Sequence, residues 1–391
     1  MKRVLFILPS LTMGGLERVQ VTLANALQRI GYDVTVMILD DNRELEDELD
    51  NRVTLFRKVY KTHLGQSVPY LRTRYYDDGM WESRATPEEL YRYYVGDEHY
   101  DIEVAFFHGL PVKIISGSTN MDALHFAWIH NDFTKIRGYQ FNFTSLEDVR
   151  AAYQRLDAVV CVSESARKGF ISTIGDTGNT TTIYNILPTM RIQRLSRKEI
   201  AYRYPTDSFN LVLVGRLKDS HKGQRRLISV VARLNREGRK VTLALVGDGS
   251  DREAIERAID QHHAQDFVYM AGNQRNPYPY VSGADMLICA SYYEGFNLTV
   301  AEAMILGVPV ISTKCTGPCE ILDNGKYGLL VENSRKGLYY GIKLMADNPN
   351  LVRLYRQKAK KRFEFFSEET ILRQIVDLME QTNKTMINDV D

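Results

Sequence analysis

The sequence predicts an α/β protein made of two doubly wound domains facing a cleft, and three observations predict it. Its 391 residues exceed what one hydrophobic core usually holds. Strand-like apolar runs alternate with amphipathic helical stretches through the first half, the sign of parallel strands joined by crossover helices. After a polar, charged stretch from Pro188 to Ser208, which reads as a linker, the same alternation restarts at Phe209. The expected division is 1–190, 205–365, and a last helix from 366 before a frayed tail.

Composition narrows the function classes. A formal net charge of +1 gives no general case for a nucleic-acid partner. No apolar run approaches the roughly 18 residues of a membrane-spanning helix. The opening Met1 to Ser10 has a short apolar run without a small-residue cleavage site, so it reads as a first strand, not a leader. Cys161 and Cys289 sit in apolar runs and read as buried free thiols, while Cys315 and Cys319 lack the nearby histidines of a zinc site. A reducing cytoplasm is the simplest fit.

Residues 3–8 read as a buried strand, Gly14-Gly15 as a tight turn, Leu16 to Ile30 as a helix and Val34 to Leu39 as the next strand. That order is a βαβ unit. Gly14-Gly15 would let a backbone approach a ligand at a helix start, although a plain tight turn explains it equally. The Gly-x-Gly-x-x-Gly dinucleotide fingerprint is absent. Ile102 to Phe107 and Leu124 to Ile129 are further strands, the second ending in His130, at the strand end where open α/β sheets bind ligands. Ala158 to Val162 and Thr182 to Ile186 complete this half.

Between Arg52 and Arg74 lie Arg52, Arg57, Lys58, Lys61, Arg72 and Arg74 with no acid, interleaved with Phe56, Tyr60 and Tyr70. Such a segment suits an anionic membrane surface or a pyrophosphate-bearing acceptor, or is a solvated basic loop.

In the second half, Phe209 to Val214 is a strand with Gly215-Arg216 at its tip, and Lys222-Gly223 opens a helix. Val241 to Val246 ends in Gly247-Asp248-Gly249, followed by strands at Phe267 to Met270, Met286 to Ala290, Val308 to Ile311 and Tyr327 to Val331. Tyr339 to Phe365 and a final segment from Ser367 read as helices. The most informative stretch follows Ala290. Glu294 sits in a turn, Leu298 to Leu306 reads as a helix closed by Gly307, and Glu302 lies about two turns in. Gly295, Phe296, Asn297 and Leu298 offer backbone N–H groups at that helix start, where anions bind. Taken alone, the two glutamates read as well as an ordinary loop acid and a solvated helix acid. Arg216 and Lys222 change that reading, since two cations beside an amide cradle suit a diphosphate.

Together these residues resemble the family 4 glycosyltransferases, retaining enzymes of the GT-B fold with two Rossmann-like domains. The resemblance covers nearly the whole chain. It is carried by Gly14-Gly15-Leu-Glu17-Arg18, His130, Gly215-Arg216 with Lys222-Gly223, Gly247-Asp248-Gly249, Glu294-x7-Glu302 and Thr316-Gly-Pro-Cys-Glu320. It implies that Arg216 and Lys222 bind a donor diphosphate and Glu302 its ribose. Glu294 and the amides of Phe296 to Leu298 would hold the transferred sugar, with Gly295 and Gly247 in the same donor site. Gly272-Asn273-Gln274 would lie near the base. Gly15 and His130 would reach the donor from the other domain, His130 as a hydrogen-bonding and positioning group, and the last helix, about Ser367 to Gln381, would cross back onto the first domain.

The reading is therefore transfer of a sugar from a nucleotide donor, UDP-linked, to a glycan, teichoic-acid or lipid-linked acceptor at the inner membrane face. Same-face displacement is expected, because no carboxylate in the N-terminal half is positioned by sequence as a nucleophile. No metal or cofactor is expected, with Arg216 and Lys222 meeting the leaving-group charge. Asp389-Val-Asp391, the one Asp-x-Asp match, falls in the expected frayed tail. Two alternatives stay open: a nucleotide-sugar epimerase or hydrolase on the same fold, and a binding subunit whose catalysis has lapsed.

Overall fold

The structure is a computed structural model that describes residues 1–58, 80–135 and 142–388. The chain divides into two compact units, residues 1–186 with 369–391, and residues 187–368. Each is built on one parallel sheet.

In the first unit the strands are β1 (Arg3–Leu8), β2 (Asp33–Ile38), β3 (Thr54–Arg57), β4 (Ile102–Ala105), β5 (Leu124–Ile129), β6 (Ala158–Cys161) and β7 (Thr180–Thr182). They lie in the order β3-β2-β1-β4-β5-β6-β7, all parallel. The order reverses direction between β1 and β4, where Val4 pairs with Ile102. β1, β2, β4 and β6 are almost continuously apolar because helices cover both faces of a parallel sheet.

The second unit repeats the plan with β8 (Phe209–Val214), β9 (Val241–Val246), β10 (Val268–Gly272), β11 (Met286–Cys289), β12 (Val310–Thr313) and β13 (Leu329–Val331). Their order is β10-β9-β8-β11-β12-β13, again parallel. Here the reversal falls between β8 and β11, where Leu211 pairs with Met286. Open sheets of this kind bind ligands at the carboxyl ends of the strands flanking the reversal.

Several expectations need correction. The Pro188–Ser208 stretch is not a bare linker, since it carries the helix Thr189–Leu195, which belongs to the second unit. Ile192 is fully buried there, and Leu195 and Ser196 offer carbonyls to Asn276 and Ser282. The strand expected from Thr182 to Ile186 is instead Thr180–Thr182. Sequence reading passed over β3, an edge strand whose four residues are at most half-buried and so leave little apolar signal. The helical stretch from Tyr339 is two helices, Arg335–Ala346 and Pro349–Phe363, with Asn348-Pro349 at the break because proline lacks the N–H to continue a helix. The tail expected to fray is helical as far as Asn388, in the helix Glu368–Asn388, and Asp389-Val-Asp391 lies outside the described residues.

That last helix is tied to the first unit. Ile371, Ile375 and Met379 are buried along one side of it. Glu380 accepts hydrogen bonds from Lys2 Nζ at 2.9 Å and Tyr32 Oη at 3.2 Å. Burial, with the Glu380 charge, pushes the Tyr32 phenol up to about 12.

The basic segment is described only in part. Arg52 pairs with Asp50, Arg57 with Asp41, and Lys58 lies over the Tyr93 ring. Lys61, Arg72 and Arg74 lie outside the described residues. Among the described residues no helix is long and apolar enough to cross a membrane.

Candidate active site

In the second unit the sequence-predicted residues gather at the strand tips around the β8/β11 reversal. Gly215 follows β8 and Gly247 follows β9. Their backbones touch, and a Cβ on Gly247, at φ +139°, would lie 2.2 Å from the Gly215 carbonyl oxygen. Only glycine permits this approach. Arg216 is anchored by its carbonyl, which accepts from Gln224 Nε2 at 2.9 Å. Its guanidinium is exposed and pairs with no carboxylate among the described residues.

Lys222 ends the one-turn helix Asp219–Lys222, and the helix Gln224–Arg236 begins after Gly223. Lys222 Nζ donates to Glu294 Oε1 at 2.7 Å. The same oxygen accepts from Ser291 Oγ at 2.5 Å, and His221 Nε2 stands 3.7 Å away. Glu294 is 8% exposed, so this is a nearly buried ion pair. Burial by itself would depress the Lys222 ammonium, but the Glu294 charge and hydrogen bond outweigh it and hold the pKa above its ordinary value. Lys222 is cationic at neutral pH. His221 stacks on Tyr293, 4.4 Å between centroids, and its Nε2 is 2.9 Å from the Tyr293 carbonyl. Burial, then the Lys222 charge, lower its pKa, and Glu294 opposes them in part.

The helix Leu298–Ile305 starts as predicted, one residue shorter at its end. Asn297 is its N-cap, in the left-handed region at φ +72°. Its Oδ1 accepts from Val300 N at 3.2 Å and Thr299 Oγ1 at 2.8 Å. Its Nδ2 lies 3.2 Å from Cys289 Sγ, so that thiol braces the turn besides filling the core. A hydrogen bond from Cys315 holds the Cys289 thiol below its ordinary value. Glu302 is not a solvated helix acid: it is 9% exposed and accepts from Tyr278 Oη at 3.2 Å. Phe296 is buried against Phe366. Asn273 is exposed just past the end of β10 at Gly272.

In the first unit, Gly14 caps the helix Gly15–Arg29 with its backbone extended. The turn is answered by the chain's own acids. Thr12 Oγ1 donates to Glu17 Oε1 at 3.0 Å and Met13 N donates to Glu44 Oε2 at 2.7 Å. His130 follows β5, with its ring 4.6 Å from that of Phe106 and bonded to the Phe106 carbonyl. One edge of the residue meets solvent, but Nε2 is buried and has no hydrogen-bond partner among the described residues. Burial, with the neighbouring His108, pushes the imidazole down to about 3, so it is neutral at neutral pH.

Tyr278, Ser291 and His221 were not singled out from sequence. Ser291 and His221 had a usable signal, three residues before Glu294 and one before Lys222. Tyr278 comes from a separate helix and had none.

Two parallel Rossmann-like sheets, each with its candidate side chains at the carboxyl ends of the strands, are the architecture of the GT-B glycosyltransferases. The family described as Glycosyltransferase Family 4 matches residues 13–191, and Glycosyl transferases group 1 matches 197–362. The two matches adjoin and span most of the chain, and the chain belongs to the family 4 glycosyltransferases. An uncharacterized glycosyltransferase of Haemophilus influenzae is 24% identical over 95% of this chain and 98% of its own length. Campylobacter jejuni N-acetylgalactosamine-N,N'-diacetylbacillosaminyl-diphospho-undecaprenol 4-alpha-N-acetylgalactosaminyltransferase is 28% identical, over 49% of this chain and about half (51%) of that enzyme. The crystal structure of Anabaena HepE in complex with UDP-glucose has the same fold, with a TM-score of 0.74 at 20% identity, covering 97% of this chain and 100% of that one.

Proposed function

We propose that this glycosyltransferase moves a hexose from a UDP-linked donor, with retention and without a metal, to a glycan, teichoic-acid or lipid-linked acceptor in cell-surface polysaccharide or glycoconjugate synthesis. One observation carries the reading. An exposed arginine with no carboxylate partner among the described residues, a nearly buried lysine–glutamate pair and a helix start with a buried acid behind it stand at the two strand tips flanking one sheet reversal. The acceptor class is supported by the Campylobacter relative, whose name specifies a diphospho-undecaprenol-linked acceptor. The Anabaena neighbour's complex with UDP-glucose supports the donor class.

In this reading Arg216 and Lys222 meet the donor diphosphate, Glu302 accepts from the ribose, and Asn273 and Gly247 lie along the base and phosphates. Glu294 and the amides of Gly295, Phe296, Asn297 and Leu298 hold the sugar. The bond from the anomeric carbon to the phosphate oxygen breaks while the acceptor oxygen bonds that carbon on the same face. The acceptor's proton passes to the departing phosphate, and UDP leaves. The cations stabilise charge that develops on the leaving group, where preorganised donors act most strongly. Gly15 and His130 are proposed to contribute to turnover, His130 as a neutral hydrogen-bonding group.

The test is a thermal-shift panel of UDP, GDP and ADP with their common sugars, on wild type and Glu302→Ala. A ligand at about 100 times its Kd stabilises by roughly 2.7 kcal/mol, which is readily seen. The UDP series is expected to stabilise wild type, and the variant to lose that shift. No shift with any nucleotide, or an equal shift in the variant, overturns the assignment. Donor turnover with and without acceptor then separates transfer from epimerisation, hydrolysis and binding alone, and full activity after EDTA treatment is the expected result for a metal-independent enzyme.

A further inference from the structure

The loop that delivers Glu294 is wired more completely than a surface turn requires. Each carbonyl from Cys289 to Glu294 accepts a hydrogen bond from beyond the loop. Thr313 Oγ1 donates to Cys289 at 3.3 Å and to Ser291 at 2.6 Å. Asn333 Nδ2 donates to Tyr292 at 2.9 Å, and His221 Nε2 meets Tyr293 at 2.9 Å. Thr316 Oγ1 donates to Glu294 at 2.8 Å.

The remaining donor is Arg226. Its Nε and Nη2 reach the Ala290 carbonyl at 3.1 and 2.6 Å, and Nη2 also reaches the Ser291 carbonyl at 3.0 Å and Asn333 Oδ1 at 2.7 Å. The guanidinium lies 3.8 Å from the centre of the Tyr292 ring. Arg226 is 7% exposed, yet no carboxylate among the described residues forms a salt bridge with it. A buried cation is ordinarily paired with an acid. This one is satisfied by two main-chain carbonyls, an amide oxygen and a ring, all belonging to or bound to the Glu294 loop.

Arg226 stands four residues after Lys222, with Gly223 between the two helices at φ +67°. A Cβ on Gly223 would lie 2.3 Å from the Ala290 carbonyl oxygen, so the helix start is pressed against the loop. One helix entry therefore supplies Lys222 to the Glu294 carboxylate and Arg226 to the backbone beneath it. Ser291 joins the two, giving its carbonyl to Arg226 and its hydroxyl to Glu294.

We propose that Arg226 is a positioning residue of the donor site, acting through the Ala290 and Ser291 carbonyls to fix Glu294 against the transferred sugar. The proposal rests on the donor-site reading above. It has a signature that a general structural role lacks. Because Glu294 is assigned to the sugar and Arg216 and Lys222 to the diphosphate, disturbing Arg226 must weaken UDP-sugar binding more than UDP binding.

The experiment is calorimetric titration of full-length wild type, Arg226→Lys and Asn333→Ala with UDP and with UDP-glucose, UDP-galactose and UDP-N-acetylglucosamine. Lysine keeps the charge, but its point-like ammonium cannot span the set of acceptors that the planar fork holds. Misplacing a binding group by a fraction of an ångström to one ångström is costly, so the UDP-sugar Kd is expected to rise about tenfold or more in Arg226→Lys, with UDP changing less than about threefold. Asn333→Ala keeps the two Arg226–carbonyl bonds but removes the bond that Asn333 accepts from Arg226 and the one it donates to the Tyr292 carbonyl, and is expected to show the same bias at about three- to tenfold. Equal weakening of UDP and UDP-sugar, or a lowered Tm with unchanged sugar preference, overturns the role. If Arg226→Lys does not fold, the Asn333→Ala ratio decides. A wild type that binds none of these ligands overturns the donor-site reading and this role with it, whereas a binding wild type with an unbiased variant overturns only the role of Arg226.

Discussion

The strand tips after β11 and after β5 carry two titratable side chains that the sequence singled out, Glu294 and His130, and they are built in opposite ways. After β11, Glu294 sits in a loop whose carbonyls are all engaged, and its own carboxylate accepts from a lysine and a serine. After β5, His130 holds one bond to the Phe106 carbonyl and leaves Nε2 buried without a partner among the described residues. An unmet buried nitrogen costs about 1–3 kcal/mol. The contrast separates two ways of making a site. Glu294 is held in place by its environment and needs little from a substrate to be oriented. His130 has an unused hydrogen-bonding atom and gains from whatever supplies the missing partner.

The largest effect is expected at the ion pair. Lys222→Ala leaves Glu294 nearly buried without its cation, which should lower stability by about 3 kcal/mol in urea unfolding. Adding Glu294→Gln removes the orphaned charge and should recover part of that loss. Strict additivity of the two changes would break the picture of a coupled pair.

His130→Ala should behave in the reverse sense. A fall in kcat on the order of 10²-fold, followed as UDP release, is expected with stability within about 1 kcal/mol of wild type. A large loss of stability with normal turnover would make His130 a core residue after all.

The pH dependence sharpens the same point. In the folded chain the imidazole is held down at about 3, against an ordinary value of 6.5. The unfolded chain therefore binds the proton first. Stability from the neutral ring is fully present above pH 6.5 and is lost as pH falls towards 3, with a slope of at most about 1.4 kcal/mol per pH unit from this one group. His130→Gln should flatten the urea-midpoint profile in that window. An unchanged profile would contradict the burial of Nε2.

The smallest effect concerns the start of the Leu298–Ile305 helix. Asn297→Ala loses the cap and places a Cβ-bearing residue without a local hydrogen bond at φ +72°, and should cost about 1–2 kcal/mol. Asn297→Gly keeps that backbone at little strain and should cost a few tenths of a kcal/mol. Equal losses would mean that the backbone conformation at Asn297 is not what the side chain secures.

Much of this was legible in the residues themselves. Both sheets could be read because parallel strands are continuous apolar runs, and Glu294, Glu302, Arg216 and Lys222 could be placed because each falls beside a run's end. β3 was not legible, since an edge strand with exposed side chains has no such run. The helix Thr189–Leu195 was hidden by its charged neighbours, and only its packing inside the second unit explains it. Glu302 read equally as a solvated acid, because burial of a helix residue depends on what packs against it, here including Tyr278 from another helix. Arg226 and Asn333 look like ordinary surface residues in the chain and acquire a role only when β11, β13 and the Gln224–Arg236 helix come together. In the basic Arg52–Arg74 segment, read as a membrane- or acceptor-binding stretch or a solvated basic loop, the described cations Arg52, Arg57 and Lys58 each have a partner nearby that the residue pattern did not reveal.

The most direct test of the account is calorimetric titration of UDP into wild type, Arg216→Ala and His130→Ala. Diphosphate binding is assigned to the second unit, where Arg216 is an exposed cation at the β8 tip with no carboxylate partner among the described residues. The account predicts that Arg216→Ala loses at least about tenfold in UDP affinity, one charge-assisted bond, while His130→Ala binds UDP as wild type does. Wild-type affinity in Arg216→Ala, or an equal loss in His130→Ala, would contradict it.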